Sequence, residues 1–193
     1  MKHLLFLIFC FFFTANSFAQ SSNQEIIINF ILDSNFLSRD SGAPLSREFV
    51  TGCMNEKSDQ QFVIECDDII FKHYISFFKD IKNRKVILIT RDGASVENRW
   101  VYLVDNNTLT DVTKKLWPEI KPQTISALLI KKTGDQKYTE DYINSVAYSS
   151  YRIKHPNNQD SNIEVFSGIP DSSSGLKLGE IHWDGNKFIF QNN

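Results

Sequence analysis

A chain of 193 residues with a formal net charge of −2, 41% hydrophobic residues and three cysteines is the size of one ordinary domain. It is too apolar for a disordered chain, too weakly charged for an evident nucleic-acid binder, and too poor in cysteine for a scaffold held by disulfides alone. These figures exclude classes and name no activity.

Residues 1–19 have the form of a secretory signal peptide. Lys2 and His3 precede an apolar run from Leu4 to Phe13, and small residues Ser17 and Ala19 place a cut before Gln20. The run is about half the ~20 residues that a spanning helix needs. Cys10 has Phe9 before it and Phe11 to Phe13 after it, which is not the setting of a lipid-modified cysteine. No second apolar stretch is long enough to span. The expected product is therefore periplasmic or secreted, with no membrane span once the signal is removed. Two cysteines then remain, Cys53 and Cys66. In an oxidising compartment they are expected to pair, and closing a loop of that size contributes roughly 3 kcal/mol in the chain-entropy model. No Pro/Gly-rich linker divides the rest, so residues 20–193 are expected to be one globular domain.

In chain order, Ser22-Asn23-Gln24-Glu25 resembles a capping box and predicts a helix over Asn23 to Asn35. Ser38 to Leu45 is a loop, and Phe49 to Met54 a short strand or a helix end. Gln61 to Cys66 is a strand. Ile69 to Ile81 fits a helix face, yet its β-branched and aromatic content favours a long strand. Lys82-Asn83-Arg84 turns the chain into a strand over Lys85 to Thr90, whose continuous run Val86-Ile87-Leu88-Ile89 marks a strand covered on both faces. Trp100 to Val104 alternates as a strand and Asp105-Asn106-Asn107 turns. Thr110 to Leu116 begins a short helix that Pro118 ends. Ile125 to Ile130 is apolar and of either type, and Tyr142 to Ile153 reads as extended. Ile163 to Phe166 is a strand. The chain closes with a hairpin, Leu176 to Trp183 and Lys187 to Phe190 around Asp184-Gly185. The expected class is α+β, mainly antiparallel sheet with one or two short helices, because the strands follow too closely for repeated crossovers.

Residues that could carry chemistry are sparse. Metalloprotease, nucleophile-elbow, phosphate-loop and dinucleotide motifs are all missing. No cofactor or metal is expected, since His73, His155 and His182 have no ligand at metal-site spacing. His73 on a strand shares a face with Phe71, Ile75 and Phe77, which suits a core histidine. Asp67-Asp68 and Glu140-Asp141 are adjacent carboxylates and point to opposite faces of a strand. A hydrolase would have to join His73 or His182 with Asp67, Asp68 or Asp184. The aromatics suit a β core. Tyr148, Tyr151, Trp183 and Phe188 could alternatively anchor a protein or glycan partner. Asp171 to Gly175 is a candidate protruding loop. Lysines occur in pairs rather than stripes, so no nucleic-acid partner is expected.

Two segments resemble exported bacterial proteins that carry no assigned activity. Trp100 to Asp105, followed by Asp111-Val112-Thr113 and Pro118, resembles their strand and D-V-T-x-x-x-x-P stretch. Trp183-Asp184-Gly185-Asn186-Lys187-Phe188 resembles their closing W-x-G-x-K-F hairpin. The resemblance implies bacterial export and a hairpin over Phe71 to Thr90, and brings no catalytic residue with it. Three readings stand: a non-enzymatic partner-binding domain of inhibitor or immunity type with a protein partner in the cell envelope, a periplasmic hydrolase with a His/carboxylate site, and a structural envelope component.

Overall fold

The computed structural model describes residues 22–34, 36–91, 99–105, 108–145, 151–154, 162–168 and 175–192. Two helices come first, α1 (Asn23–Ser34) and α2 (Arg47–Cys53). They are followed by β1 (Met54–Ser58), β2 (Gln61–Ile64), β3 (His73–Lys79), β4 (Lys85–Arg91), β5 (Arg99–Asp105) and β6 (Thr108–Asp111). Three helices come next, α3 (Thr113–Leu116), α4 (Pro122–Thr133) and α5 (Glu140–Ser145). The last strands are β7 (Tyr151–Lys154), β8 (Ile163–Ser167), β9 (Lys177–Trp183) and β10 (Phe188–Gln191). Strands β1 to β6 form an antiparallel meander in sequence order, and β7 to β10 form a second antiparallel sheet. The class is α+β and mainly antiparallel.

The run in β4 organises the interior. Alternate side chains of a strand face opposite ways, so Ile87 and Ile89 join a core with Ile27 and Ile31 of α1 and Val50 of α2. Val86 and Leu88 join a second core with Leu128 and Leu129 of α4, Ile181 and Phe188. All four β4 residues are fully buried, which is why this segment carries no polar position between Val86 and Ile89.

Several elements differ from expectation. Ile125–Ile130 lies within helix α4, which starts at Pro122 and ends where Gly134 turns left-handed (φ +73°) and donates its N–H to Ile130 O. Tyr142–Ile153 is not extended throughout: among its described residues, those up to Ser145 belong to the helix Glu140–Ser145 and those from Tyr151 to the strand Tyr151–Lys154. Thr110 and Asp111 belong to β6, so the following helix is the single turn Thr113–Leu116. Phe49–Cys53 is the end of a helix. The strand favoured over Ile69–Ile81 is shorter, because Ile69–Lys72 is loop and the Asp80 carboxylate accepts the Lys82 and Arg84 amides to form the turn. Strand β1, Met-Asn-Glu-Lys-Ser, has no apolar alternation. It is an edge strand, and exposed Glu56 and Lys57 suit an edge that must not recruit another strand.

The resembling motifs have local structural roles. Asp111 accepts the Thr113 amide, and Thr113 Oγ1 accepts the Val101 amide at 2.8 Å, joining α3 to β5. In the last hairpin Asp184 accepts the Asn186 and Lys187 amides, and Gly185 adopts φ +94°. This tip docks on the β3–β4 hairpin: Ile81 N–H donates to Gly185 O at 3.0 Å, and Trp183 Nε1 donates to Lys79 O at 2.8 Å. Gly179 is required for a different reason, since a Cβ there would overlap the Gln191 carbonyl oxygen and the Phe190 ring.

Candidate functional site

The structured loop 66–72 is built from both sides. On one side Ser46 caps α2, its hydroxyl accepting the Phe49 amide, and the helix delivers buried Cys53 at its C-terminal end. Cys53 bonds Cys66 with the Cα atoms 5.2 Å apart, within the ordinary range for a disulfide. The same junction is reinforced where Glu65 N–H donates to Cys53 O, and Ile69 N–H to Cys66 O.

On the other side lies the loop 38–44, and Asp68 ties the two together. Its carboxylate accepts from Arg39 Nε at 2.6 Å, from Ser41 N–H at 2.9 Å and from Ser41 Oγ at 2.9 Å. Its carbonyl accepts the Asp40 amide, and Arg39 and Ile69 form an isolated β-bridge. The Ser41 amide and the Arg39 guanidinium together hold the Asp68 carboxyl below its ordinary range. Arg39 also stacks 3.9 Å above the Phe49 ring and donates to Pro44 O.

The loop held this way projects apolar side chains outward. Ile70 is 47% exposed and Phe71 39%, whereas Ile69 between them and the latch is buried. Arg91 lies 4.3 Å over the Phe71 ring, a cation–π contact that orients Phe71 without covering it. An open hollow beside the disulfide is lined by Glu48, Phe49, Gly52, Asp67 and Asp68. Neither Ile70 and Phe71 nor the Arg39–Asp68 latch was singled out from sequence. Exposed apolar residues look like core residues until the fold is known, and Arg39 gives no hint of a partner at Asp68.

The candidate catalytic residues are not assembled. His73 opens β3, paired between Ile64 and Arg91, and is buried with its ring edge against Phe36. Burial, with the Arg91 charge adding to it, pushes its pKa down to about 4. Its Nδ1 meets no hydrogen-bond partner, and the Asp68 oxygens are taken by Arg39 and Ser41. His182 lies in the other sheet, opposite Ile189. The Asp184 carboxylate is engaged in its own turn. Among the described residues no three His, Cys, Asp or Glu converge as metal ligands.

The candidate aromatic anchors are largely interior. Tyr151 and Phe188 are buried, and half-buried Trp183 packs between Phe78 and Phe188. They therefore serve the core that joins the two sheets, as the alternative reading of these aromatics had it, rather than a face for a partner. Tyr148, His155 and the stretch 171–174 lie outside the described residues, as does the stretch 1–19 expected to be a signal peptide. No described helix is long and apolar enough to cross a membrane. Comparison with family models, with curated proteins and with solved structures returns no match.

Proposed function

We propose that this is an exported, non-catalytic partner-binding protein of inhibitor or immunity type, acting on a protein of the cell envelope, and that loop 66–72 is its recognition element. The observation that carries the reading is the exposure of Ile70 and Phe71 on a backbone pinned by the Cys53–Cys66 disulfide and the Asp68 latch. A loop fixed before binding loses little conformational freedom on binding, and large apolar side chains on it are the residue types that anchor interfaces. The leader-like residues 1–19 and the cysteine pair support export.

The test uses a photo-crosslinking residue at position 71 in intact protein, exposed to envelope extract, followed by affinity measurement with the captured protein. Ile70→Asp and Phe71→Asp should each weaken binding at least tenfold, since truncating an anchor costs about 2 kcal/mol or more. Ile81→Asp, at the other exposed large apolar position among the described residues, should not. Equal binding by all three variants rules the reading out.

A further inference from the structure

The six-stranded sheet ends in β1 on one side and β6 on the other, and the two edges are built differently. Strand β1 carries Glu56 and Lys57, both exposed, and its register breaks between Glu56 and Ser58. Charge and irregularity are ordinary means of refusing another strand. Strand β6 is Thr108-Leu109-Thr110-Asp111, paired with β5 in unbroken register and without lysine or proline. Its one charge does not guard the edge, because the Asp111 carboxylate accepts the Thr113 amide. Thr108, Thr110 and Asp111 are exposed, so the edge is open to solvent.

The bonding phase fixes which backbone groups this edge presents. Val112 N–H donates to Val101 O at 2.8 Å, one step beyond the Tyr102–Asp111 pair. Bonded and non-bonded pairs alternate along an antiparallel ladder. Thr108 and Thr110 therefore bond to β5, whereas Leu109 and Asp111 aim their N–H and C=O groups outward. Among the described residues neither of those two amides has a partner.

The side chain on that outward row is apolar. Leu109 lies opposite Val104 and on the face of Tyr102, whose ring is 4.8 Å from that of Phe30 in α1. On this face Ile75, Ile87 and Ile89 are buried under the helices, but Tyr102, Val104 and Leu109 are only half-buried. The apolar surface thus runs out to the open edge.

The edge sequence is self-complementary. Set antiparallel against itself about Leu109, it places leucine against leucine and each Thr108 against a Thr110, with no like charges opposed. Apolar and Thr–Thr pairs are favourable cross-strand neighbours. Centring the pair on Thr110 would set Leu109 against Asp111 and lose this match. We propose that β6 pairs antiparallel with β6 of a second copy about a twofold axis at Leu109, joining two six-stranded sheets into one. Each Leu109 exchanges both backbone hydrogen bonds with its counterpart, and the apolar strips of the two copies meet across the seam. A seam of so few residues lies at the small end of specific interfaces, so the dimer is weak and reversible. It involves no residue of loop 66–72.

Sedimentation of the intact protein between about 10 μM and about 1 mM should show a reversible passage from one chain to two, with Kd of about 100 μM. Leu109→Pro should weaken association at least tenfold. Its N–H points outward, so proline there leaves the bonds to β5 in place, and the thermal midpoint of dilute protein should change little. Leu109→Lys, which opposes like charges directly, should also weaken association at least tenfold and carries no proline in the strand. In the unaltered protein, hydrogen exchange at the Leu109 amide should slow at least threefold with rising concentration, while the Asn55 and Glu56 amides of β1 keep their rates. Phe71→Asp should dimerise as the natural protein does, which separates this seam from the recognition loop. The proposal is overturned by a chain that stays monomeric throughout, by a dimer that both Leu109 variants retain, by Leu109 exchange independent of concentration, or by loss of the dimer in Phe71→Asp.

Discussion

His73 shows how a single buried group sets a pH limit on this fold. The ring sits among Phe36, Ile64 and Arg91, and the neutral form is favoured down to about pH 4, against 6.5 for an ordinary histidine. Above pH 6.5 neither the folded nor the unfolded chain holds the proton, so His73 costs nothing there. As pH falls from 6.5 to 4 the unfolded chain takes a proton that the folded one refuses, and stability is lost with acidification by roughly 3 kcal/mol at the lower limit. The Asp68 carboxyl, depressed by Ser41 and Arg39, also loses its contribution on acidification, but only as pH drops below its ordinary value of 3.8. The two windows are therefore separable. Denaturant unfolding measured between pH 4 and 7 should show the decline in the natural protein and a flattened profile in His73→Leu. An identical slope in that variant would mean that the ring is protonated in the fold. The core placement of His73 was readable from its alternation with Ile75 and Phe77, whereas Phe71, expected on the same face of the strand, lies in the loop before β3 and is exposed. The neighbour of His73 supplied by the next strand, Arg91, was not readable.

At the scale of elements, the disulfide closes a loop that contains the β1–β2 hairpin, so it restrains the element least able to hold itself. Strand β1 is an edge with a polar sequence and a register irregularity between Glu56 and Ser58. Cys53→Ala/Cys66→Ala should lower unfolding stability by about 3 kcal/mol. Hydrogen exchange should accelerate most at the Ser41 and Ile69 amides, because loop 66–72 loses one of its two anchors. If exchange at those amides is unchanged, the Asp68 latch alone fixes the loop. The cysteine pairing, the β4 run and the Asp184-Gly185 hairpin were legible because each is signalled within a few residues. Helix α4 was signalled too, by Pro122 at its start and Gly134 at its end, but the apolar run Ile125–Ile130 taken alone fits strand and helix equally. Strand β1 and the Arg39–Asp68 latch leave no local pattern, since register with β2 creates the one and a contact between separate loops creates the other.

At the scale of the whole molecule, two cores share β4, and that sharing decides whether the protein unfolds as one body. Ile87 and Ile89 belong to the core under α1 and α2, Val86 and Leu88 to the core under α4 and the second sheet. Loss of β4 would open both at once. The hairpin contact of Trp183 with Lys79 O and of Ile81 with Gly185 adds a second bond between the sheets. Phe188 is the most informative position to disturb, since it is fully buried in one core and packs against Phe78, Trp117 and Trp183. Phe188→Ala should cost about 3–5 kcal/mol, as for large core truncations generally. The tryptophans allow the spread of that damage to be followed: Trp100 packs on the core of α1 and α2, Trp117 lies in the other. Variants retaining Trp100 alone or Trp117 alone should unfold with coincident midpoints, and Phe188→Ala should shift both midpoints equally. A shift confined to the Trp117 signal would show that the second sheet melts by itself, and the shared strand would then not couple the two halves.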